Sequence, residues 1–454
     1  MTALLYALGV VTFVVAILLS IGLHEFGHLV PAKKFGCKVP QWFIGFGPTV
    51  WSKQIGDTEY GIKAIPLGGY VKIVGMLPPG AEGLVEETTY DEDGEAVHKV
   101  RRSNTGMFTQ LISDARAAEW EYVKQHDTDR LFYRLPWWKK VVVMAGGPLV
   151  NIAIAFGLFV VLFATYGNPR DEVVEPTVAA VPECVIPASE QRTTCTADDP
   201  VSPAKKAGIE PGDRIVSFNG TPYTTWDALQ SQIRANADGD AVIEVRRDGQ
   251  LLSLETNTTV ALRRTSLEDE TLTKVGFLGV QPESHLATGG PLYTAEQMGT
   301  MTVETLQALV HLPVKVYDVG RAILGLQERD PEGPVSIVGG GRFAGEAAAS
   351  QDFPIADKLV TLLFLVASFN FFIGMFNFVP LLPLDGGHIA GALWEAVRRG
   401  WARLRRRPDP GYVDVAKLLP IAYVVGLAIL VMGIVLIVGD IVRSEEHTSE
   451  LQSH

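Results

Sequence analysis

His24 and His28 stand four residues apart with Glu25 beside the first, in the run His24-Glu25-Phe26-Gly27-His28. On a helix, positions four apart share a face, so both imidazoles can turn a nitrogen toward one Zn²⁺ while Glu25 sits next to them as a general base. The chemistry this spacing suits is hydrolysis. The motif closes an almost uninterrupted apolar run from Leu4 to Leu23. Two histidines and a carboxylate at the edge of a bilayer are costly unless paired or metal-bound, so their position favours a function over a chance match.

A catalytic zinc keeps three protein ligands and an open position, so two histidines leave one ligand to find. Asp385 is the best candidate. It lies in Asn377-Phe378-Val379-Pro380-Leu381-Leu382-Pro383-Leu384-Asp385-Gly386-Gly387-His388, where two prolines and two glycines break a helix and can swing the carboxylate inward. Taken alone, the same segment also reads as a helix-terminal turn facing water.

These residues must be positioned by membrane spans. With 454 residues and 47% hydrophobic composition, the chain has room for several spans plus water-soluble modules. Hydropathy predicts four: one within residues 1–32, then 141–166, 357–388 and 414–442. The first has no basic leader region or small-residue cleavage site and carries two of the ligands, so it reads as a retained helix. Lys33, Lys34, Lys38, Arg134, Lys139 and Lys140 flank the first loop and Arg398 to Arg407 crowds the third, which makes both loops cytoplasmic and both termini extracytoplasmic. The net charge of -12 is carried by stretches such as Glu82 to Glu95 and argues against nucleic-acid binding. The expected partner surface is a lipid bilayer.

Between the spans the chain changes character. Residues 33–77 hold β-branched and aromatic residues between glycines and predict hairpins that dip into the membrane or line a protein cavity, with a small soluble β subdomain as the alternative. Residues 78–140 read as a cytoplasmic loop with one helix near Thr109 to Gln125. Gly146, Gly147 and Asn151 in the second span are explained by close helix packing. Residues 298–345 predict an amphipathic helix and linker, residues 396–413 a basic cytoplasmic loop, and residues 443–454 a disordered polar tail or scar. Cys184 and Cys195 fall on the outward side and Cys37 on the other. An outward disulfide fits that compartment, and two unpaired surface thiols are the alternative.

Residues 175–283 resemble a PDZ domain through Ala207-Gly208-Ile209, Gly212-Asp213, Ile215 and Asn219-Gly220. That module would take a peptide as an added strand. With it, the His-Glu-x-x-His motif, the segment from Asn377 to Asp385, Gly68-Gly69-Tyr70-Val71, and Gly147-Pro148 with Asn151 together resemble the bacterial site-2 proteases, in the regulator of sigma-E protease group but with a single PDZ domain. The resemblance implies a polytopic α-helical membrane protein of four transmembrane helices, with membrane-associated β-hairpins and an inserted extracytoplasmic α+β PDZ domain, in the bacterial cytoplasmic membrane. It implies one Zn²⁺ per chain on His24, His28 and Asp385, with Glu25 as the base. It implies substrate contacts from Asn377, Pro380, Pro383, Gly68 and Gly69. Its substrates would be single-span membrane proteins, typified by an anti-sigma factor already trimmed outside.

Two other classes compete. An ion-coupled transporter could use a broken helix with Asn377 and Asp385, but has no need of the histidine motif and no inverted repeat is apparent. A silent PDZ scaffold would keep the fold without needing Glu25.

Overall fold

The computed structural model describes residues 2–78, 86–90, 96–100, 107–120, 123, 127–186, 194–264, 272–330, 333–351 and 353–452, so residues 79–85 and 91–95 of the acidic stretch lie outside it. Two compact units result: residues 1–164 with 289–454, and residues 165–288.

The first unit opens with α1 (Thr2–Lys34), followed by β1 (Gln41–Ile55) and β2 (Thr58–Lys72). These two strands fold back on themselves. Gln41 to Ile44 pairs with Glu59 to Ile62 and also with Lys72 to Gly69, while Trp51 to Gln54 pairs with Ile62 to Glu59. Gly45 and Gly47 have φ of 89° and 82°, and Gly68 has 108°, so the reversals fall where only glycine is unstrained. The segment expected to be a cytoplasmic loop with one helix also contains a hairpin, β3 (Glu86–Tyr90) with β4 (Ala96–Val100), and its helix, α2, runs Met107–Trp120. Then comes α3 (Trp137–Thr165).

The second unit holds β5 (Glu172–Ala180), α4 (Pro203–Ala207), β6 (Arg214–Phe218), β7 (Thr221–Pro222), α5 (Trp226–Ala235), β8 (Asp240–Arg247), β9 (Gln250–Asn257), β10 (Thr259–Arg264), β11 (Leu272–Phe277) and β12 (Gln281–Leu286). Its main sheet has the order β12-β5-β6-β8-β9, with β7 on β6, and β10 pairs separately with β11. Trp226, Leu229 and Ile233 bury one face of α5 against Ile215, Ile243 and Val245. The glycine-rich motif residues serve this fold. Ser202 caps α4 through Lys205 N, Gly208 ends it in the left-handed region, and Asn219 Oδ1 accepts from Val242 N at 2.8 Å. Asp213, fully buried, accepts two hydrogen bonds of 2.7 Å from Arg247. Cys184 and Cys195 are joined in a disulfide, and Cys37 in the first unit is free and buried, its thiol pushed up to about 11 by burial.

The first unit resumes with α6 (Pro291–Ile323), α7 (Ile337–Ala349), α8 (Ile355–Asn377), α9 (Asp385–Leu404) and α10 (Leu419–Gln452). The sequence-based expectations need correcting here. The helix expected from Met298 begins at Pro291, a favoured first helical position, and stops at Ile323 before Gly325 in the left-handed region. The third span ends at Asn377 rather than continuing to residue 388, and Asp385 opens a separate helix. The basic segment at 396–413 is helical as far as Leu404 even with Gly400 inside it, because its alanine, leucine and arginine residues are good helix formers, and Pro408 lies beyond the helix end. In the polar segment after Val442, α10 continues to Gln452, since nothing there interrupts it with Gly or Pro.

Among the described residues, four helices are long and apolar enough to cross a membrane: Thr2–Lys34, Trp137–Thr165, Ile355–Asn377 and Val415–Val442. Close approach of α1 and α3 depends on absent side chains. A Cβ on Gly27 would stand 2.4 Å from Gly146 O, and one on Gly146 would stand 2.1 Å from Gly27 O.

Candidate metal centre

The helical spacing of α1 brings His24 and His28 side by side, with relative exposures of 8% and 3% and Nε2 atoms 3.3 Å apart. Asp385, the first residue of α9, completes a triangle: its Oδ2 lies 3.2 Å from His24 Nε2 and 3.3 Å from His28 Nε2. Donors bound at about 2.0–2.1 Å around a tetrahedral zinc are separated by about 3.3 Å. The three donors therefore fit zinc in type and spacing.

Asp385 reaches this depth because α9 starts tight against the end of α8. A Cβ on Gly386 would fall 2.2 Å from Val379 O, and one on Gly387 2.6 Å from Leu382 N. Any side chain at either position would push α9 away from the histidines.

The helix α3 orients the imidazoles. His24 Nδ1 lies 3.0 Å from Asn151 Oδ1 and His28 Nδ1 lies 2.8 Å from Val143 O. Both oxygens are acceptors, so each Nδ1 carries the proton and each Nε2 lone pair is left for a metal. Gly147 passes directly beneath: a Cβ there would stand 2.2 Å from His28 Nε2 and 2.8 Å from His24 Nε2. The sequence reading assigned Asn151 and the neighbouring glycines to helix packing and missed these contacts. The available signal was a polar side chain one turn beyond Gly147 in an apolar helix.

Glu25 is half-buried beside the triangle and takes a hydrogen bond from the backbone of Val71. Gly69 lies against it, where a Cβ would be 3.1 Å from Glu25 Cγ. These residues open onto a cavity of about 470 Å³ whose lining includes Gly68, Gly69, Asn377, Pro383 and His388. Asn377 Nδ2 donates to Ile373 O at 3.2 Å. Pro380 is exposed and does not line the cavity, so it is not brought together with the others. His388, one turn after Asp385, lines it without having been singled out.

The comparisons with known proteins agree with this chemistry. Residues 12–410 match the model of peptidase family M50. The chain is 33% identical over 454 residues to the zinc metalloprotease Rip1 of Mycolicibacterium smegmatis, covering 97% of this chain and 98% of the relative. It is 33% identical over 448 residues to the zinc metalloproteases Rip1 of Mycobacterium tuberculosis and Mycobacterium bovis, covering 96% of each chain. The transporter and silent-scaffold readings therefore fall away. The chain belongs to peptidase family M50 and is a membrane zinc metalloprotease.

Proposed function

We propose that this metalloprotease cuts single-span membrane proteins inside their transmembrane segments, with His24, His28 and Asp385 holding one zinc and Glu25 as general base. The observation that carries the reading is the His₂Asp triangle beside Glu25, built between apolar spans and opening onto a lined cavity. The basic residues at this end of the spans put it at the cytoplasmic face of a bacterial cytoplasmic membrane, with residues 165–288 and the termini outside. The second unit serves as a PDZ module that docks or filters substrates by size. Anti-sigma factors trimmed beforehand are the substrate class the family resemblance suggests.

Zinc, when bound, supplies Lewis acidity for the scissile carbonyl and the attacking water. Asn151 and Val143 O keep both imidazoles in the tautomer that presents Nε2. Glu25 accepts the proton of the attacking water and returns it to the leaving amine. A substrate helix hides its carbonyls and must be drawn out. Among the described residues Gly69 to Lys72 pairs on one side only, with Gln41 to Ile44, and it runs past Glu25. An extended substrate added to that edge would present its backbone to the site, with Gly68 and Gly69 leaving room and Asn377 and Pro383 bounding the far side.

The test is reconstitution of the full chain in liposomes with single-span substrates and mapping of the cut by mass spectrometry. Cleavage within the apolar segment that disappears in Glu25→Gln is expected. Cuts confined to soluble flanks would reject the intramembrane reading.

A further inference from the structure

We propose that the outer face of α9 lies in the headgroup layer of the membrane and binds anionic phospholipid through Arg403, Arg405, Arg406 and Arg407. The helix sits between the spanning helices α8 and α10, so the chain leaves and re-enters the membrane on the same side. Its inner face is committed to protein. Glu395 bonds Lys140 of α3 at 2.7 Å, Arg399 bonds Glu395 at 3.3 Å, and Ala392 and Ala402 are buried. The outer face carries Leu393, Trp394, Val397, Trp401 and Leu404, which are 47%, 58%, 58%, 55% and 77% exposed. Spaced at one, four, eight and eleven residues from Leu393, these share one side of the helix. Such a stripe of tryptophan and aliphatic residues, ending in arginine, matches a helix lying in the interface plane.

Charge identifies the lipid. The four arginines are exposed and, among the described residues, form no ion pair. Nearby acids are engaged elsewhere: Asp409 with Arg399 at 3.4 Å and Asp414 with Arg116 at 2.6 Å. The Arg405 guanidinium stacks over Trp401 with its carbon 4.5 Å from the ring centroid, which joins the basic end to the apolar stripe. In a chain of net charge -12 this is a local cation cluster, and guanidinium groups match phosphate oxygens in geometry. Because α9 begins at Asp385, lipid held there acts on the helix that presents the third donor of the metal triangle.

The full chain in liposomes tests this through tryptophan quenching by brominated lipid. The signal from Trp394 and Trp401 is the difference between the native chain and Trp394→Phe/Trp401→Phe. Brominated phosphatidylglycerol should quench it about twofold more than brominated phosphatidylcholine at equal mole fraction, and the preference should shrink in high salt. The substitution of all four arginines by Gln should abolish the preference, with zinc content reporting that the fold is intact. Equal quenching by the two lipids in the native chain, or a preference that survives both salt and the four substitutions, would overturn the proposal. Equal quenching by the two lipids together with binding of millimolar inorganic phosphate that is lost in the four-Gln variant would assign the cluster to free phosphate and reject the lipid.

Discussion

Lys140 Nζ lies 2.7 Å from Glu395 Oε2, with the two side chains only 7% and 2% exposed. The pair fastens α3, which orients both histidines through Val143 and Asn151, to α9, which presents Asp385. Breaking it by Glu395→Met alone strands a buried ammonium and should cost about 3–5 kcal/mol, whereas Lys140→Met/Glu395→Met should recover most of that loss. Thermal denaturation and zinc affinity of the two variants in detergent check this. Equal losses in the single and double variants would contradict it.

The base and the ligands separate by zinc content. Glu25→Gln should keep zinc while turnover falls about 10²-fold or more, the scale of a lost general base. His24→Ala, His28→Ala and Asp385→Ala should each lose zinc and turnover together. Normal zinc and cleavage in Asp385→Ala would place the third ligand elsewhere.

Gly147 offers no donor, yet Gly147→Ala should behave like a ligand loss, because its Cβ would occupy the space next to both Nε2 atoms. Chelator competition should show zinc affinity reduced about tenfold or more, a change of about 1.4 kcal/mol. Gly157→Ala in the same helix, where a Cβ would meet nothing within 4 Å, is the control and should leave affinity unchanged.

The second unit should weaken in acid through Asp213. Burial would raise its carboxyl, but the paired hydrogen bonds from Arg247 outweigh this and hold it below the ordinary range. Its folded value lies beneath its unfolded one, so the stabilisation is complete above about pH 4 and is lost as pH falls through the folded value. Hydrogen-exchange protection of β6 and β8 in the full chain, taken relative to the intrinsic exchange rate at each pH, should fall below about pH 4. Arg247→Ala should show faster exchange already at neutral pH and a flatter acid dependence.

Much of this was readable because it is local. Four-residue spacing puts His24 and His28 on one face of any helix, and apolar runs long enough for a bilayer mark the spans whatever their neighbours do. The arginines of residues 396–407 mark a cytoplasmic connection but not its structure: the helix there shows its inner face, with Glu395 and Ala402 buried, only against α3 and the rest of the bundle. The same holds for the site's outer partners. Asn151 is 127 residues from His24 and Val143 is 115 from His28, so no spacing rule connects them. Gly147 looks in sequence like any packing glycine. Only the crossing of α1 and α3 at Gly27 and Gly146 turns it toward the imidazoles, and only the glycine-tight start of α9 brings Asp385 to their level. A one-dimensional pattern carries the period of a helix but not the distance between two helices, and this metal centre is set by those distances.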